Sequence, residues 1–394
     1  MRTGSLTITG AQVWDGTSFA PRDVHIADGR VTPAAASDAA TLDGTGHWLI
    51  PGLIDAHFHA YATSMDGFEN ERGPLSYAAL NGARRLSRAL GRGFTTVRDV
   101  AGGDIGLAQA IDADLFDSPR YHFTGPALSQ TGGHGDPRAA HVDVCFSHGH
   151  MCEVVDGVDN LRLAVRNRLR TGAHAIKVMA SGGVFSLTDP IRVPQYSQEE
   201  LRAVVEEATR RGSYVCAHAY SSEAVQHAVA AGIRSIEHGN LIDRETAERM
   251  ADAGAFLVPT LAAYDAMDRR GASIGLNATS LAKNTEVLTK GQDAVRLAHE
   301  TGVRVGFGSD LMGDLEDDQL AGVRLQVEAS GAAATLRSMT AVNAELIGDD
   351  ALGHLGDGAY GDAVLLSADP LAAPSALWEQ DARVAVVRGG LVVA

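Results

Sequence analysis

Eight short apolar runs alternate with helix-like segments along most of the chain, and this alternation restricts the folds that the sequence can adopt. The runs are LIDAHFH, FTTVRDV, YHFTGPAL, AIKVMAS, YVCAHAY, SIEHGN, FLVPTL and VRVGFGSD. Nearly continuous apolar runs of this length are typical of parallel strands that are buried on both faces. Eight such strands, each followed by a helix, are what a (β/α)8 TIM barrel requires. The sequence therefore predicts an α/β protein with a barrel over residues 53–349.

The intervening segments carry different amounts of helical signal. In SQEELRAVVEEATRRG, Ser197 occupies the N-cap position, Glu200 completes a capping box and Gly212 is suited to the C-cap. This segment predicts a helix after the fourth run. The sequence GASIGLNATSLAKN, within roughly residues 265–295, lacks such signals and predicts an irregular excursion after the seventh run.

Both ends of the chain show the sequence pattern of β-strands instead. The segments SLTITGAQVWDG and DVHIADGRV alternate apolar and polar residues and break at Asp-Gly, and GDAVLLSAD and ARVAVVRGGLVVA return to this pattern. The simplest arrangement brings the two ends together. We therefore expect a small β-sandwich domain built from residues 1–52 and 350–394.

Composition excludes several classes of partner. The formal net charge of −16 argues against nucleic acid and anionic membranes. The N-terminus lacks a signal-peptide apolar region, and no apolar run approaches the length of a membrane span. Three cysteines do not make a disulfide framework, so a reducing compartment is the simpler interpretation. We expect a cytoplasmic enzyme for small molecules.

Residues of the types that bind metals lie at the ends of four of the apolar runs. His57 and His59 alternate at the end of the first run, so both imidazoles can face one ion. His218, His238 and Asp310 end three later runs. The carboxyl ends of barrel strands form the catalytic face, and imidazoles with carboxylates suit Zn, with Mn, Co or Fe as alternatives.

Lys177 lies inside the apolar run AIKVMAS, where a charged ammonium is costly. It could extend its charge to solvent or pair with a carboxylate. It could also react with CO2 to form a carbamate, which would be an anionic metal ligand. The ligand-type residues at the ends of the other runs favour the carbamate.

The motifs PGLIDAHFH, IKVMASGG, AHAY, IEHGN and GFGSD together resemble the metal-binding stations of the amidohydrolase superfamily, in the same order. More narrowly, TGGHGD, VDGVDNLRLAVR, IKVMASGGV, VPTLAAYDA and NAELIG resemble the imidazolonepropionase-like branch, which contains Xaa-Pro and Lys/Arg carboxypeptidase-type dipeptidases and ochratoxinase-type amidases. The resemblance spans essentially the whole chain.

The resemblance implies two divalent ions, most simply zinc, and six ligands. These are His57, His59, Lys177, His218, His238 and Asp310. His57, His59 and Asp310 would hold the more buried ion, His218 and His238 the more exposed one, and carboxylated Lys177 would bridge both. A bridging lysine argues against the single-metal imidazolonepropionases and deaminases of the superfamily. Relatives of this kind are commonly homo-oligomers, and we expect the same here.

Further residues are candidates for catalysis and substrate binding. Asp310 would act as the general acid–base, and His134, in TGGHGD, would stabilise the developing oxyanion and contact the substrate. Tyr220 resembles the substrate-contacting residue of the dipeptidases, with barrel packing as the alternative. Gly182 and Gly183 would let the backbone approach the substrate closely.

Two loops each allow two interpretations from the sequence alone. Cys145, His148, His150 and Cys152 have metal-ligand chemistry at short spacing, although a solvated loop is the simpler interpretation. The acidic stretch LMGDLEDDQ after Asp310 could select cationic substrates or form a solvated face.

These features together predict hydrolysis of an amide or peptide bond beside a free carboxylate, as in a dipeptidase or a carboxypeptidase-like enzyme. The alternative is an ochratoxinase-like amidase for an N-acyl amino acid or a small xenobiotic amide, carbamate or lactone. A non-catalytic scaffold is the remaining alternative, although ligand-type residues at every station argue against it.

Overall fold

The computed structural model describes residues 1–139, 141–142, 144, 150–186 and 189–394. Its strands are β1 (Leu6–Thr9), β2 (Gln12–Trp14), β3 (Phe19–Pro21), β4 (Val24–Ala27), β5 (Arg30–Thr32), β6 (Ala40–Asp43), β7 (Trp48–Pro51), β8 (Leu53–Phe58), β9 (Phe94–Asp99), β10 (Arg120–Phe123), β11 (Ala127–Ser129), β12 (Cys152–Val154), β13 (Ile176–Met179), β14 (Val215–Ser221), β15 (Ser235–Leu241), β16 (Phe256–Val258), β17 (Arg304–Val305), β18 (Ala363–Leu366), β19 (Arg383–Arg388) and β20 (Leu391–Val392).

The helices lie between the strands of the central region. They are α1 (Gly67–Arg72), α2 (Leu75–Gly91), α3 (Ile105–Asp112), α4 (Val158–Arg170), α5 (Gln198–Thr209), α6 (Ser222–Ala230), α7 (Arg244–Asp252), α8 (Leu261–Arg270), α9 (Ala278–Thr301), α10 (Gln319–Ser330), α11 (Ala332–Arg337) and α12 (Asn343–Ile347). Short 3-10 turns span Gly271–Ile274, Gly313–Asp318, Pro374–Leu377 and Gln380–Ala382, and a π-helical turn spans Ser338–Val342.

The central region contains two parallel sheets, which confirms the α/β class. One has the order β10-β9-β8, and the other has the order β12-β11-β13-β14-β15-β16-β17. Backbone hydrogen bonds join the two sheets: Ala56 N in β8 donates to Phe307 O, just after β17, at 2.9 Å, and His174 N, just before β13, donates to Phe123 O in β10 at 2.7 Å. A further bond runs from Asp310 N to His57 O at 2.8 Å. The first strand is thereby tied to the segment that follows the last one.

The apolar runs of the sequence form these strands because both of their faces are buried. Every residue of β8, β9, β13 and β14 is buried. Side chains of β13, β14 and β15 pack with helices α4 to α7 and α9 in one large apolar cluster. The carboxyl ends of the strands are consequently held at fixed positions relative to one another.

The two chain ends meet in two further sheets, with orders β5-β4-β1-β6 and β20-β19-β18-β7-β2-β3. Strand β7 pairs with β18 across most of the chain length, with Ile50 opposite Val364. Ile8 and Ile26 of the smaller sheet share one apolar cluster with Leu49 and Leu365 of the larger sheet. The expected association of the termini is therefore present.

The predicted helix near Ser197 is present as α5, with both hydrogen bonds of the capping box formed by Ser197 and Glu200. The helix ends at Thr209, and Gly212 lies beyond the C-cap with φ of +69°. The expected irregular excursion at 265–295 is wrong. It contains the end of α8 and most of α9, and Asn277 supplies the N-cap of α9 by accepting a hydrogen bond from Ser280 N.

Among the helices of the described ranges, none combines the length and the apolar character needed to cross a membrane.

Candidate metal centre and active site

Each ligand-type residue predicted from the sequence lies in a parallel strand or just beyond its carboxyl end. His57 lies in β8, Lys177 in β13, His218 in β14 and His238 in β15. His59 directly follows β8, and Asp310 follows β17 by a few residues. The strand register places Met179 opposite His218 and Ala219 opposite His238. Neighbouring strands therefore present these side chains at one edge.

His57, His238 and Asp310 form the centre of the cluster. One ligand atom from each lies within 4.8 Å of the others. Asp310 Oδ1 is 3.2 Å from His57 Nε2 and 2.9 Å from His59 Nε2. Burial by itself would raise the pKa of Asp310, but His57 and His59 hold it well below its usual value. Asp310 is thus an anionic carboxylate among imidazole nitrogens.

Three of the histidines are each held through one ring nitrogen, which leaves the other nitrogen for a metal. His57 Nδ1 lies 2.7 Å from Glu237 Oε2, and His218 Nε2 donates to the carbonyl oxygen of Gly182 at 3.1 Å. His238 Nδ1 lies 2.8 Å from the Thr260 hydroxyl and 2.7 Å from that of Tyr264. Metal-binding histidines are usually oriented in this way.

The electrostatic surroundings of these histidines also favour metal binding. Burial lowers the pKa of His218 and His238 well below the usual value, and neighbouring histidines lower both further. Neutral imidazoles bind a metal without first losing a proton. His59 Nδ1 is buried without a hydrogen-bond partner in the described part of the chain.

Lys177 is 2% exposed and lies in β13, in which every residue is buried. A charged amino group is costly in such surroundings. It is located close enough to the histidines to affect their pKa values. This environment matches a lysine that acquires its partner from a bound group.

Glu237 and Arg98 support His57 and were missed in the sequence. Arg98 donates to Glu237 Oε1 at 2.8 Å, and both side chains are completely buried. Burial alone would raise the pKa of Glu237, but Arg98 and His57 hold it below its usual range. The sequence offered one signal for this pair, because the apolar runs FTTVRDV and SIEHGN each contain charged residues. Charged residues are rarely fully buried unless they are paired.

His134 also lies at the cluster. Its ring stacks on His218 with centroids 4.2 Å apart, and a side chain at Gly183 would collide with it. His134 Nδ1 is 3.2 Å from Ser186 Oγ and 3.9 Å from Asp189 Oδ2. The ring is therefore fixed, and Nε2 is the nitrogen available to a substrate.

The two glycines lie after β13. A Cβ at Gly182 would lie 2.2 Å from the Pro190 carbonyl oxygen, so only glycine fits there. The glycines allow close approach of Pro190 and of the His134 ring, and their contact with the substrate stays a prediction.

Tyr220 packs beside the histidines, with its ring 4.8 Å from that of His218 and 5.0 Å from that of His238. It is 3% exposed, and its hydroxyl accepts a hydrogen bond from Tyr264 at 3.0 Å. Tyr264 links it to His238, and this second tyrosine was not anticipated. Tyr220 thus contributes both to packing and to the polar lining of the site.

Acidic side chains of the loop after Asp310 form ion pairs with arginines of the chain itself. Glu316 pairs with Arg88, and Asp317 lies 2.9 Å from Arg92. Asp318 contacts Arg269 at 2.8 Å and Arg270 at 2.9 Å. These three carboxylates anchor the loop and are not free to select a cationic substrate, whereas the fourth, Asp314, lines a cavity beside His134.

Part of the cysteine–histidine motif cannot be placed, since Cys145 and His148 lie outside the described residues. The backbone N–H groups of His150 and Cys152 both donate to Glu71, at 2.6 Å and 2.8 Å. Burial raises the pKa of the Cys152 thiol. In this region Glu71 fixes the backbone where β12 begins.

Imidazoles and a carboxylate gathered at the carboxyl edge of a parallel sheet define the class of metal-dependent hydrolases. The model of the Amidohydrolase family matches residues 48–393, and the chain belongs to this family. The family is metal-dependent, and the protein is a hydrolase acting on C–N bonds.

Several relatives are similar over nearly the whole chain. Ochratoxinase of Aspergillus niger is 33% identical over 364 residues, covering 87% of this chain and 75% of that protein. A prolidase complexed with N-methylphosphonate-L-proline is 40% identical, with a TM-score of 0.94 and coverage of 98% and 99% of the two chains. A Xaa-Pro dipeptidase with bound methionine is 27% identical, with a TM-score of 0.87 and 99% coverage of both chains. These relatives confirm the branch that the sequence motifs indicated.

Proposed function

We propose that this protein is a binuclear metal-dependent amidohydrolase that cleaves an amide bond beside a free carboxylate, as in a dipeptide or an N-acyl amino acid. The observation that carries the proposal is the donor set of His57, His238 and Asp310, whose ligand atoms lie within 4.8 Å of one another. The similarity to a prolidase and to a Xaa-Pro dipeptidase supports the substrate class.

The residues fit two cations. His57, His59 and Asp310 would hold one, His218 and His238 the other, and Lys177 as a carbamate would bridge them. The unpartnered Nδ1 of His59 and the burial of Lys177 among the histidines support this assignment. Two divalent cations, most simply Zn, would lower the pKa of a water molecule and polarise a carbonyl oxygen.

The chain's own residues would move protons and position the substrate. Asp310 lies beside the imidazoles with an anionic carboxylate, so it can accept a proton from the attacking water and deliver it to the leaving nitrogen. His134, fixed through Nδ1, can donate through Nε2 to the oxygen of the scissile carbonyl. Tyr220 would contact the substrate at the inner end of the site.

We also propose the architecture in which this site is located. The backbone bonds from Ala56 to Phe307 and from His174 to Phe123 support closure of the two parallel sheets into a (β/α)8 barrel over residues 53–349. The shared apolar cluster of the terminal sheets supports a β-sandwich domain of residues 1–52 and 350–394.

The test combines metal analysis with a substrate panel. Protein reconstituted with zinc and bicarbonate should contain close to two zinc ions per chain and should hydrolyse dipeptides or N-acyl amino acids. Full activity with one ion per chain would contradict the binuclear centre. Binding of metal without hydrolysis of any panel member would favour a non-catalytic scaffold.

A second candidate function uses the same machinery. The similarity to ochratoxinase and the wide cavity beside His134 favour an amidase for a larger amide, carbamate or lactone. Neutral amides and esters in the panel distinguish the two functions, because this candidate predicts faster turnover of compounds without a carboxylate.

A further inference from the structure

A large cavity opens beside His134, at the same edge of the sheet as the cluster of histidines. Its volume is about 820 Å³, and it is lined by segments that follow several different strands. Cavities that enclose drug-sized ligands occupy about 300–1,000 Å³. The space is therefore sufficient for a group much larger than a small amino-acid side chain.

One wall of the cavity is apolar and is built from separate parts of the chain. Met65 follows β8, Phe185 follows β13, and Ile274 and Leu276 lie between α8 and α9. All four pack, partly buried, against the apolar cluster that contains Tyr220 and Tyr264. Their remaining surface lines the cavity, so the wall continues the packing around the site out towards solvent.

Lys283 fastens two parts of this wall to each other. From α9, its amino group donates to the carbonyl oxygens of Gly183 at 3.0 Å, Ser186 at 2.7 Å and Asp189 at 2.9 Å. The loop that carries Phe185 is thus tied to the helix that follows Ile274 and Leu276. A wall held in this way offers a formed surface to a ligand.

Four charged residues line the cavity. Arg138 donates to both carboxylate oxygens of Asp136 at 2.7 Å, which neutralises this pair. The carboxylate of Asp66 caps α1 by accepting from Phe68 N at 2.8 Å. Asp314 also lines the cavity, and no ion pair with a described residue neutralises it. The lining therefore disfavours an anionic group, and the apolar wall favours an uncharged one.

The position of the cavity indicates which side of the scissile bond it serves. Tyr220, proposed to contact the substrate, is 3% exposed and does not line the cavity. His134, proposed to contact the scissile carbonyl, lines the cavity itself. The group attached to that carbonyl would extend outward from His134.

We infer that the substrate carries a bulky, uncharged apolar group on the acyl side of the scissile amide, and that Met65, Phe185, Ile274 and Leu276 form the wall that receives it. This inference rests on the proposed function and specifies its substrate class. These four residues would select substrates by size and hydrophobicity, whereas the metal ligands would serve the chemical step.

The experiment compares acyl groups on a constant amino acid, with N-acetyl, N-hexanoyl and N-(2-naphthoyl) derivatives. Burying a methylene group should raise kcat/KM by about fourfold, so the hexanoyl compound should exceed the acetyl compound by at least about 20-fold. A second series keeps the acetyl group and varies the amino acid, and it should show a much narrower range. Selectivity confined to this second series would overturn the inference.

Wall variants test the residues directly. Leu276→Ala should lower kcat/KM for the hexanoyl and naphthoyl compounds by about tenfold, and change that for the acetyl compound by no more than about twofold. Ile274→Trp narrows the cavity and should reduce turnover of the naphthoyl compound selectively. Leu80→Ala is the matched control, because Leu80 is 74% exposed on helix α2 and does not line the cavity. The ratio between two substrates on one preparation is independent of metal content and of the folded fraction.

The outcomes separate the inference from the proposed function. Equal turnover of acetyl and bulky compounds, with ratios unchanged in Leu276→Ala, would overturn the inference and leave the proposed function intact. Failure to hydrolyse any compound would overturn the proposed function. Fluorescence titration with the naphthoyl compound would then decide the inference, since binding weakened by Leu276→Ala supports it and equal or absent binding refutes it.

Discussion

Replacing Glu237 by Gln should weaken metal binding and lower the stability of the protein, because this carboxylate supports two partners at once. It accepts from Arg98 at 2.8 Å and lies 2.7 Å from His57 Nδ1, and all three side chains are at most 1% exposed. A neutral amide leaves the buried guanidinium of Arg98 without its counter-charge. The amide keeps one acceptor oxygen where the carboxylate has two, so it cannot serve Arg98 and His57 together, and the hold on His57, whose Nε2 faces Asp310, is weakened.

The size of both effects follows from the geometry. Removing one partner of a buried ion pair costs about 3–5 kcal/mol. For a chain of 394 residues, an unfolding entropy of about 0.8 kcal/mol/K converts this loss into a fall in Tm of about 4–6 °C. Loss of the group that orients a metal-binding histidine typically costs about 10- to 100-fold in metal affinity.

Calorimetry of the metal-free protein measures the first effect, and zinc titration against a chromophoric chelator measures the second. The double variant Arg98→Met with Glu237→Leu separates them. Replacing both charges by apolar groups should restore most of the stability, since buried ion pairs are often no more stable than apolar replacements. Zinc affinity should stay low, because leucine cannot accept a hydrogen bond from His57.

Glu206→Gln is the matched control, since it also removes a carboxylate from an arginine pair, but on the exposed surface. Its Tm and zinc affinity should equal those of the wild type. A Glu237→Gln variant that behaves in the same way as this control would refute the role assigned to Glu237.

Two further predictions concern the proposed ligands. Asp310→Asn should keep the fold, because an amide oxygen can replace one carboxylate oxygen, but lower kcat by about 100-fold or more; steady-state kinetics with near-normal turnover would assign proton transfer to another group. Lys177→Ala should lose activity and regain part of it with added short-chain carboxylates, and metal-free wild type should recover faster with zinc when bicarbonate is present. Recovery at equal rates with and without bicarbonate, together with an unmodified Lys177 in electron density of the zinc-loaded protein, would contradict the carbamate.

Sequence reasoning was effective where burial alone determines the local structure. The eight apolar runs correspond to parallel strands because residues buried on both faces leave a continuous apolar pattern. His57, His218 and His238 could be located because they interrupt or end such runs. The same logic placed Asp310 beside them, although five residues separate it from the end of β17.

Features that depend on partners distant in sequence could not be predicted from local patterns of burial. The acidic loop after Asp310 was ambiguous because its arginine partners lie on α2 and α8, far away in sequence. The helix α9 was missed because its N-cap Asn277 lies within a segment without a clear amphipathic pattern. The apolar wall is composed of single residues from three loops, and a local window shows no sign of it.

Glu237 was missed in the sequence for a different reason. In a regular strand, residues 237 and 238 would point to opposite faces, yet both side chains lie against His57. The backbone of His238 has φ of +78°, which breaks the alternation of the strand. A rule of alternating faces would therefore assign Glu237 and His238 to different environments.

The left-handed backbone at His238 is shared by Thr260 and Asp310, with φ of +48° and +55°. Such conformations cost roughly 1–3 kcal/mol each in residues other than glycine and persist only where their surroundings fix them. Here the surroundings are the site itself, since Thr260 places its hydroxyl 2.8 Å from His238 Nδ1 and Asp310 N donates to His57 O. Local preference would favour glycine or asparagine at such positions. The presence of a threonine, a histidine and an aspartate means that the side chains outweigh the backbone cost, which is expected where geometry serves binding or catalysis.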